Sequence, residues 1–181
     1  MSALEHTPKV SILVPVYNVE RFLPQCLDSL VAQTLKDIQI ICINDGSTDG
    51  SLEILERYAA QDGRIEIIDK PNSGYGASMN CGLDAARGEY IGITESDDFA
   101  SKTMFAKLYR YAKRHDCDLV TSNYYEYCAG ADTKMEPFAG FPYKKVFDPA
   151  DCKDIIKVLP IIWTGLYRRQ MLLDANIRFN E

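Results

Sequence analysis

Val10-Ser11-Ile12-Leu13-Val14-Pro15-Val16, followed by Tyr17-Asn18, is the stretch on which the fold turns. It is a short apolar run rich in β-branched residues and reads as a buried strand. Directly downstream the period changes: Phe22, Leu23, Cys26, Leu27, Leu30 and Val31 recur on one helical face. Residues 38–43 form a second β-branched run. Asp45-Gly46-Ser47-Thr48-Asp49 then supplies turn and cap chemistry ahead of helical Leu52, Leu55 and Tyr58.

The alternation continues. Residues 65–68 read as a third strand, Pro71-Asn72-Ser73-Gly74-Tyr75-Gly76 as a loop, and residues 77–86 as a helix ended near Gly88. Residues 90–94 read as a fourth strand, closed by Glu95-Ser96-Asp97-Asp98. A helix with Phe105, Leu108, Tyr109 and Ala112 on one face follows, then a fifth short strand at 118–122. Strands joined by brief loops and amphipathic helices predict an α/β fold, a mostly parallel sheet with helices on both faces. In such a sheet the loops leaving the strands' C-terminal ends share one edge. Tyr17, Asp45, Asn72 and Asp97 are therefore expected to converge although they are far apart in sequence.

Beyond Asn123 the pattern weakens. Tyr124, Tyr125, Tyr127, Phe138, Phe141 and Tyr143 sit among Gly, Pro and charged residues without a sustained period and read as a long excursion. Residues 148–158 read as helix, 163–167 as strand and 168–175 as a short helix. From Gly140 onward there are seven basic and five acidic residues against thirteen and twenty-one before it, so the tail differs electrostatically from the rest. No repeat, low-complexity stretch or linker splits the chain, and residues 1–181 are read as one domain with a first half at 1–122 and a partial second half at 123–181.

Composition narrows the function. The 181 residues carry a net charge of −6, which offers no electrostatic footprint for nucleic acid. Six cysteines without a C-x-x-C pair and two distant histidines, His6 and His115, argue against zinc and disulfide frameworks and for free thiols in a reducing, cytoplasmic compartment. No apolar run approaches the roughly 18 residues of a membrane helix, and the first residues lack signal-peptide blocks. There is no G-x-x-x-x-G-K-[ST], and the turn after the first strand contains no glycine. P-loop and dinucleotide-binding readings are thereby disfavoured.

The chemistry lies in the loops. Glu95, Asp97 and Asp98 place three carboxylates in four residues, a crowding that solvent or a cation must relieve. Such hard oxygen donors suit Mg²⁺ or Mn²⁺ bridging to a substrate's phosphates, or else form a solvated turn and helix cap. Asp45, at a strand end, suits a ribose hydroxyl or base N–H, or caps the next helix. Tyr17 suits stacking on a base, or plain packing.

Taken in order, residues 10–18, Asn44-Asp45-Gly46-Ser47-Thr48-Asp49, Asn72-Ser73-Gly74 through Asn80, and Gly88-Glu89-Tyr90 into Glu95-Ser96-Asp97-Asp98 resemble the family 2 glycosyltransferases of the GT-A (Rossmann-like) fold. The resemblance covers about residues 8–122 and, more loosely, 163–179. It implies transfer of a sugar, with inversion, from a nucleotide-diphospho-sugar, most often a UDP-sugar, to a saccharide or lipid-linked saccharide acceptor. It implies a nucleotide pocket formed by Pro15, Tyr17, Asp45, Asn72, Ser96 and Asp97, with Mg²⁺ or Mn²⁺ on Asp97 first and Asp98 second. Glu95 stands where many members have Asp, and Met79 where many have Arg. The general base of the family belongs to an acidic motif expected beyond Glu181, so the chain is expected to be C-terminally truncated and to bind donor without supplying the base. Work on cell-surface polysaccharide precursors, at the inner face of the membrane, is the setting the resemblance implies. Peripheral membrane association and a homodimer both stay open. The alternatives are a sugar nucleotidyltransferase, which would want a basic Gly-rich loop after the first strand, and a non-catalytic nucleotide-sugar-binding module.

Overall fold

β1 (Val10–Val16) is buried along its whole length and pairs in parallel with β2 (Ile38–Asp45) on one side and β4 (Tyr90–Ile93) on the other. β3 (Ile65–Lys70) extends the sheet beyond β2, also in parallel. In the computed structural model, which describes residues 6–128, 131–136, 144–151 and 161–181, these strands belong to a six-stranded sheet of order β3-β2-β1-β4-β8-β5. β5 is Leu119–Thr121 and β8 is Gly165–Arg168.

The pleat sorts the core into two. On one face Val10, Ile12, Val14 and Val16 meet Leu23, Cys26, Leu27 and Leu30 of α1 (Leu23–Val31), Leu55 of α2 (Ser51–Ala59), and Phe105, Leu108 and Ala112 of α4 (Met104–His115). On the other, Leu13, Ile41, Ile43, Ile91 and Ile93 meet Met79 and Leu83 of α3 (Tyr75–Ala85) and Leu172 of α5 (Arg169–Asp174). Each Val, Leu, Ile, Phe or Met side chain so enclosed contributes about 1.5–3 kcal/mol, and helices on both faces leave the strands' C-terminal ends as the open edge.

Part of the sequence reading is corrected here. The sheet is mostly parallel as expected, and its one antiparallel member is β8, which runs between β4 and β5 and pairs Ile91 with Tyr167 and Val120 with Leu166. Arg168 fixes that insertion, its guanidinium donating to Asp118 at 2.7 Å and Asp116 at 2.6 Å. Residues 162–164 form a 3₁₀ turn rather than the start of the strand, and Arg168 closes β8 instead of opening the helix. α3 starts at Tyr75, two residues before the reading, because Gly74 alone takes the positive φ of 89° and the helix begins at once. The fifth strand is trimmed to three residues. The excursion holds a hairpin, β6 (Tyr124–Cys128) paired antiparallel with β7 (Ala131–Met135). Of the helix read at 148–158, Pro149–Asp151 is a 3₁₀ turn and 152–158 lies outside the described residues, as do Phe138, Phe141 and Tyr143.

Candidate functional site

Four loops leave the C-terminal ends of β1, β2, β3 and β4, and hydrogen bonds join each to the next. The β1 loop is tied to the β2 loop: the Asn18 amide donates to Ser47 Oγ at 3.1 Å, and the Thr48 amide donates to Asn18 Oδ1 at 2.7 Å. Asn18 adopts φ 52°, a left-handed conformation that Asn tolerates better than most residues. Glu20 and Asp49 reinforce the seam, the Gly50 amide donating to Glu20 Oε2 at 2.7 Å and the Glu20 amide to Asp49 Oδ2 at 3.0 Å.

Asp45 ties the β2 loop to the β3 loop. The residue is only 5% exposed, and its carboxylate accepts the Ser73 amide at 2.9 Å, the Gly74 amide at 3.0 Å, and the Lys70 ammonium. Burial acts to raise its pKa, but the Lys70 ammonium and the two amides outweigh it and hold the carboxyl below its ordinary value. A carboxylate has about four lone-pair sites, so three donors leave one for a ribose hydroxyl or a base N–H. Gly46 makes the close seam feasible: at φ 70° its missing side chain would stand 2.7 Å from the Asn72 amide nitrogen.

The β3 loop reaches the β4 loop through Tyr75, whose hydroxyl donates to Glu95 Oε1 at 2.7 Å. Glu95 is raised above its ordinary pKa by burial, against the Tyr75 hydrogen bond and with help from Asp97 and Asp98. Burial and Asp97 raise Asp98 as well. Under this loop the Cys26 thiol donates weakly to the Glu95 carbonyl at 3.6 Å, and burial together with Asp98, Asp97 and Glu95 pushes it up to about 12. Among the described residues, the charges that act on Glu95 and Asp98 are negative.

The residues singled out from sequence thus share one rim, in two layers. Tyr17, Asn72, Asp97 and Asp98 are exposed along it, Tyr17 by 51%. Pro15 and Ser96 are buried beneath, Pro15 inside β1 opposite Ile43. No three carboxylate, His or Cys groups among the described residues converge as a ready-made cation cage. Sequence reasoning missed Lys70 and Tyr75. Lys70 is exactly in register with Asp45 across β2 and β3, a signal that becomes readable only once the strand pairing is known.

Comparison with known proteins agrees with this geometry. The profile of the family described as "Glycosyl transferase family 2" matches residues 11–173. The uncharacterized glycosyltransferase EpsJ of Bacillus subtilis is 39% identical over 180 residues, covering 96% of this chain and 52% of that protein. The Staphylococcus aureus TarS structure in complex with UDP-GlcNAc superposes with a TM-score of 0.80 at 26% identity, covering 95% of this chain and 48% of that one. The mannosyltransferase PcManGT from Pyrobaculum calidifontis, solved with GDP-Man and Mn²⁺, shares the fold at a TM-score of 0.67 and 18% identity, covering 94% of this chain and 47% of its own. The chain spans about half the length of the curated relatives it matches. With the family profile running from β1 into α5 and the α/β sheet matched by solved GT-A structures, the chain belongs to glycosyl transferase family 2.

Proposed function

We propose that this chain is the donor-binding portion of an inverting glycosyltransferase that takes a nucleotide-diphospho-sugar, a UDP-sugar, and delivers the sugar to a saccharide or lipid-linked saccharide. The observation that carries this reading is the unbroken hydrogen-bonded seam from Asn18 through Asp45 and Tyr75 to Glu95, which gathers the exposed Tyr17, Asn72, Asp97 and Asp98 along one rim. The UDP-GlcNAc bound by the TarS relative supports the choice of nucleotide.

Tyr17 offers its ring to the base, and Asp45 and Asn72 offer polar atoms to base or ribose. Asp97, with Asp98, would hold Mg²⁺ or Mn²⁺; the exposed carboxylates of this loop have the donor chemistry for it. Bound there, the cation supplies charge neutralisation for the diphosphate and Lewis acidity toward the departing nucleoside diphosphate. The rim's own contribution is orientation. With the base and ribose held, the anomeric carbon presents one face to the acceptor hydroxyl; the new C–O bond forms as the bond to phosphate breaks on the opposite side, and the hydroxyl proton passes to a base.

Titration calorimetry with UDP and UDP-sugars, with and without Mn²⁺, tests this. Cation-dependent binding is expected, and Asp97→Asn is expected to remove the cation dependence while leaving residual metal-free binding. Unchanged Mn²⁺-dependent affinity in that variant would reassign the cation. Binding of a nucleoside triphosphate with release of pyrophosphate would instead indicate a nucleotidyltransferase.

A further inference from the structure

The segment 178–181 does not lie loosely on the surface; it is clasped by α3. Asn80, nearly buried, reads the backbone of Phe179 on both sides. Its Oδ1 accepts the Phe179 amide at 3.0 Å, and its Nδ2 donates to the Phe179 carbonyl at 3.1 Å and to Glu181 Oε1 at 2.9 Å. One side-chain amide thereby does for this segment what a neighbouring strand would do. One turn earlier, Gly76 lets the segment settle onto the helix, because any side chain there would place its Cβ 1.8 Å from the Asn180 carbonyl oxygen. Arg178 pairs with Asp84 at 2.6 Å further along α3.

The same turn of helix holds the acid loop. Tyr75 donates its hydroxyl to Glu95 and sets its ring edge-on to Phe179, with centroids 6.2 Å apart. Two direct contacts therefore connect the acid loop to the clasped segment, Glu95 to Tyr75 and Tyr75 to Phe179, and Asn80 holds Phe179 to the same helix. The helix between them is short and packed on the sheet through Met79 and Leu83. A hydroxyl bond and a ring edge thus lead from Glu95 to Phe179.

We propose that Asn80 is a positioning residue which docks 178–181 against the donor rim, and that Tyr75 couples loading of the rim to the order of that segment. The idea rests on the donor reading above, which says what loads the rim. The Phe179 amide is the natural reporter, since its hydrogen bond is to Asn80 alone among the described contacts.

Hydrogen exchange on the whole chain, with UDP and Mn²⁺ as the probe, tests both parts. Asn80→Ala is expected to speed exchange in the peptide holding 177–181 by at least about tenfold, since the Phe179 amide loses its acceptor and two further hydrogen bonds to the segment go with it. UDP affinity is expected to stay within about twofold, because Asn80 faces the segment. Should that variant fold poorly, Asn80→Asp keeps the acceptor for Phe179 while removing the donors, and is expected to free Glu181 with a smaller change at Phe179. In the parent protein saturating UDP and Mn²⁺ are expected to slow exchange of the same peptide severalfold. Tyr75→Phe keeps the ring and is expected to abolish that slowing while leaving protection without ligand as it was. Parent-like exchange in both Asn80 variants would overturn the docking role. Unaltered exchange of the segment in protein that calorimetry shows to be loaded would overturn the coupling, and no calorimetric binding at all would overturn the donor reading together with the coupling built on it.

Discussion

Asp45 shows how one side chain can organise a site before any ligand arrives. Three donors from the β3 edge converge on it, so its first task is to hold the loop at 71–74 against the β2 turn. Asp45→Asn is expected to cost about 1–3 kcal/mol at pH 7, since a carboxylate is lost to the Lys70 ammonium and two amides. The carboxyl's pKa is lower folded than unfolded, so its stabilisation is complete above the unfolded value of about 3.9 and drains away as pH falls through the folded value. Urea unfolding of parent and variant is therefore expected to differ by a constant amount from pH 7 down to about pH 5, with the gap closing below about pH 4. Asp45 stood out in the sequence from its place at a strand end, but its contacts with Lys70 and the Ser73 and Gly74 amides did not. Lys70 was not legible, because a lysine ending an amphipathic strand gives no sign of its cross-strand partner until the register is known. Tyr75 was hidden for a related reason: its partner, Glu95, lies twenty residues away across the rim.

At the scale of elements, periodicity succeeded where one period rules. β1 and β2 are unbroken apolar runs, and α4 places Phe105, Leu108 and Ala112 on one buried stripe with Lys107, Arg110 and Arg114 facing out. Phe105, fully buried against β1 and β4, is the keystone of that stripe. Phe105→Ala is expected to lower stability by about 3–5 kcal/mol in chemical denaturation, the range for a large aromatic leaving an unfilled cavity. The hairpin β6–β7 escaped the sequence because Tyr124, Tyr125 and Tyr127 blur the alternation that marks a half-buried strand. Tyr124 leans edge-on against Trp163 while Tyr125 and Tyr127 are exposed. β8 escaped as an antiparallel strand because its neighbours, β4 and β5, are both distant in sequence, and nothing local encodes a chain reversal between them.

At the scale of the molecule, the sheet supplies a floor and the proposed function places the chemistry on the loops at the C-terminal ends of β1, β2, β3 and β4. No helix among the described residues is long and apolar enough to cross a membrane, and the described cysteines Cys26, Cys42, Cys81 and Cys117 are free. The protein carries no ready-made cation cage among those residues, so Mn²⁺ alone is expected to leave the melting temperature nearly unchanged. UDP with Mn²⁺ at about one hundred times the dissociation constant is expected to raise it by about 5–10 °C, since ligand that binds only the folded state stabilises by mass action. EDTA is expected to reverse most of that rise in a thermal-shift assay.

The most direct test is anomalous diffraction from crystals of the protein soaked with UDP and Mn²⁺. The account predicts a manganese peak in direct coordination to Asp97, with the diphosphate completing its shell and the uracil ring beside Tyr17. A manganese peak away from residues 95–98, or a nucleotide bound off the rim formed by the β1, β2, β3 and β4 loops, would contradict it.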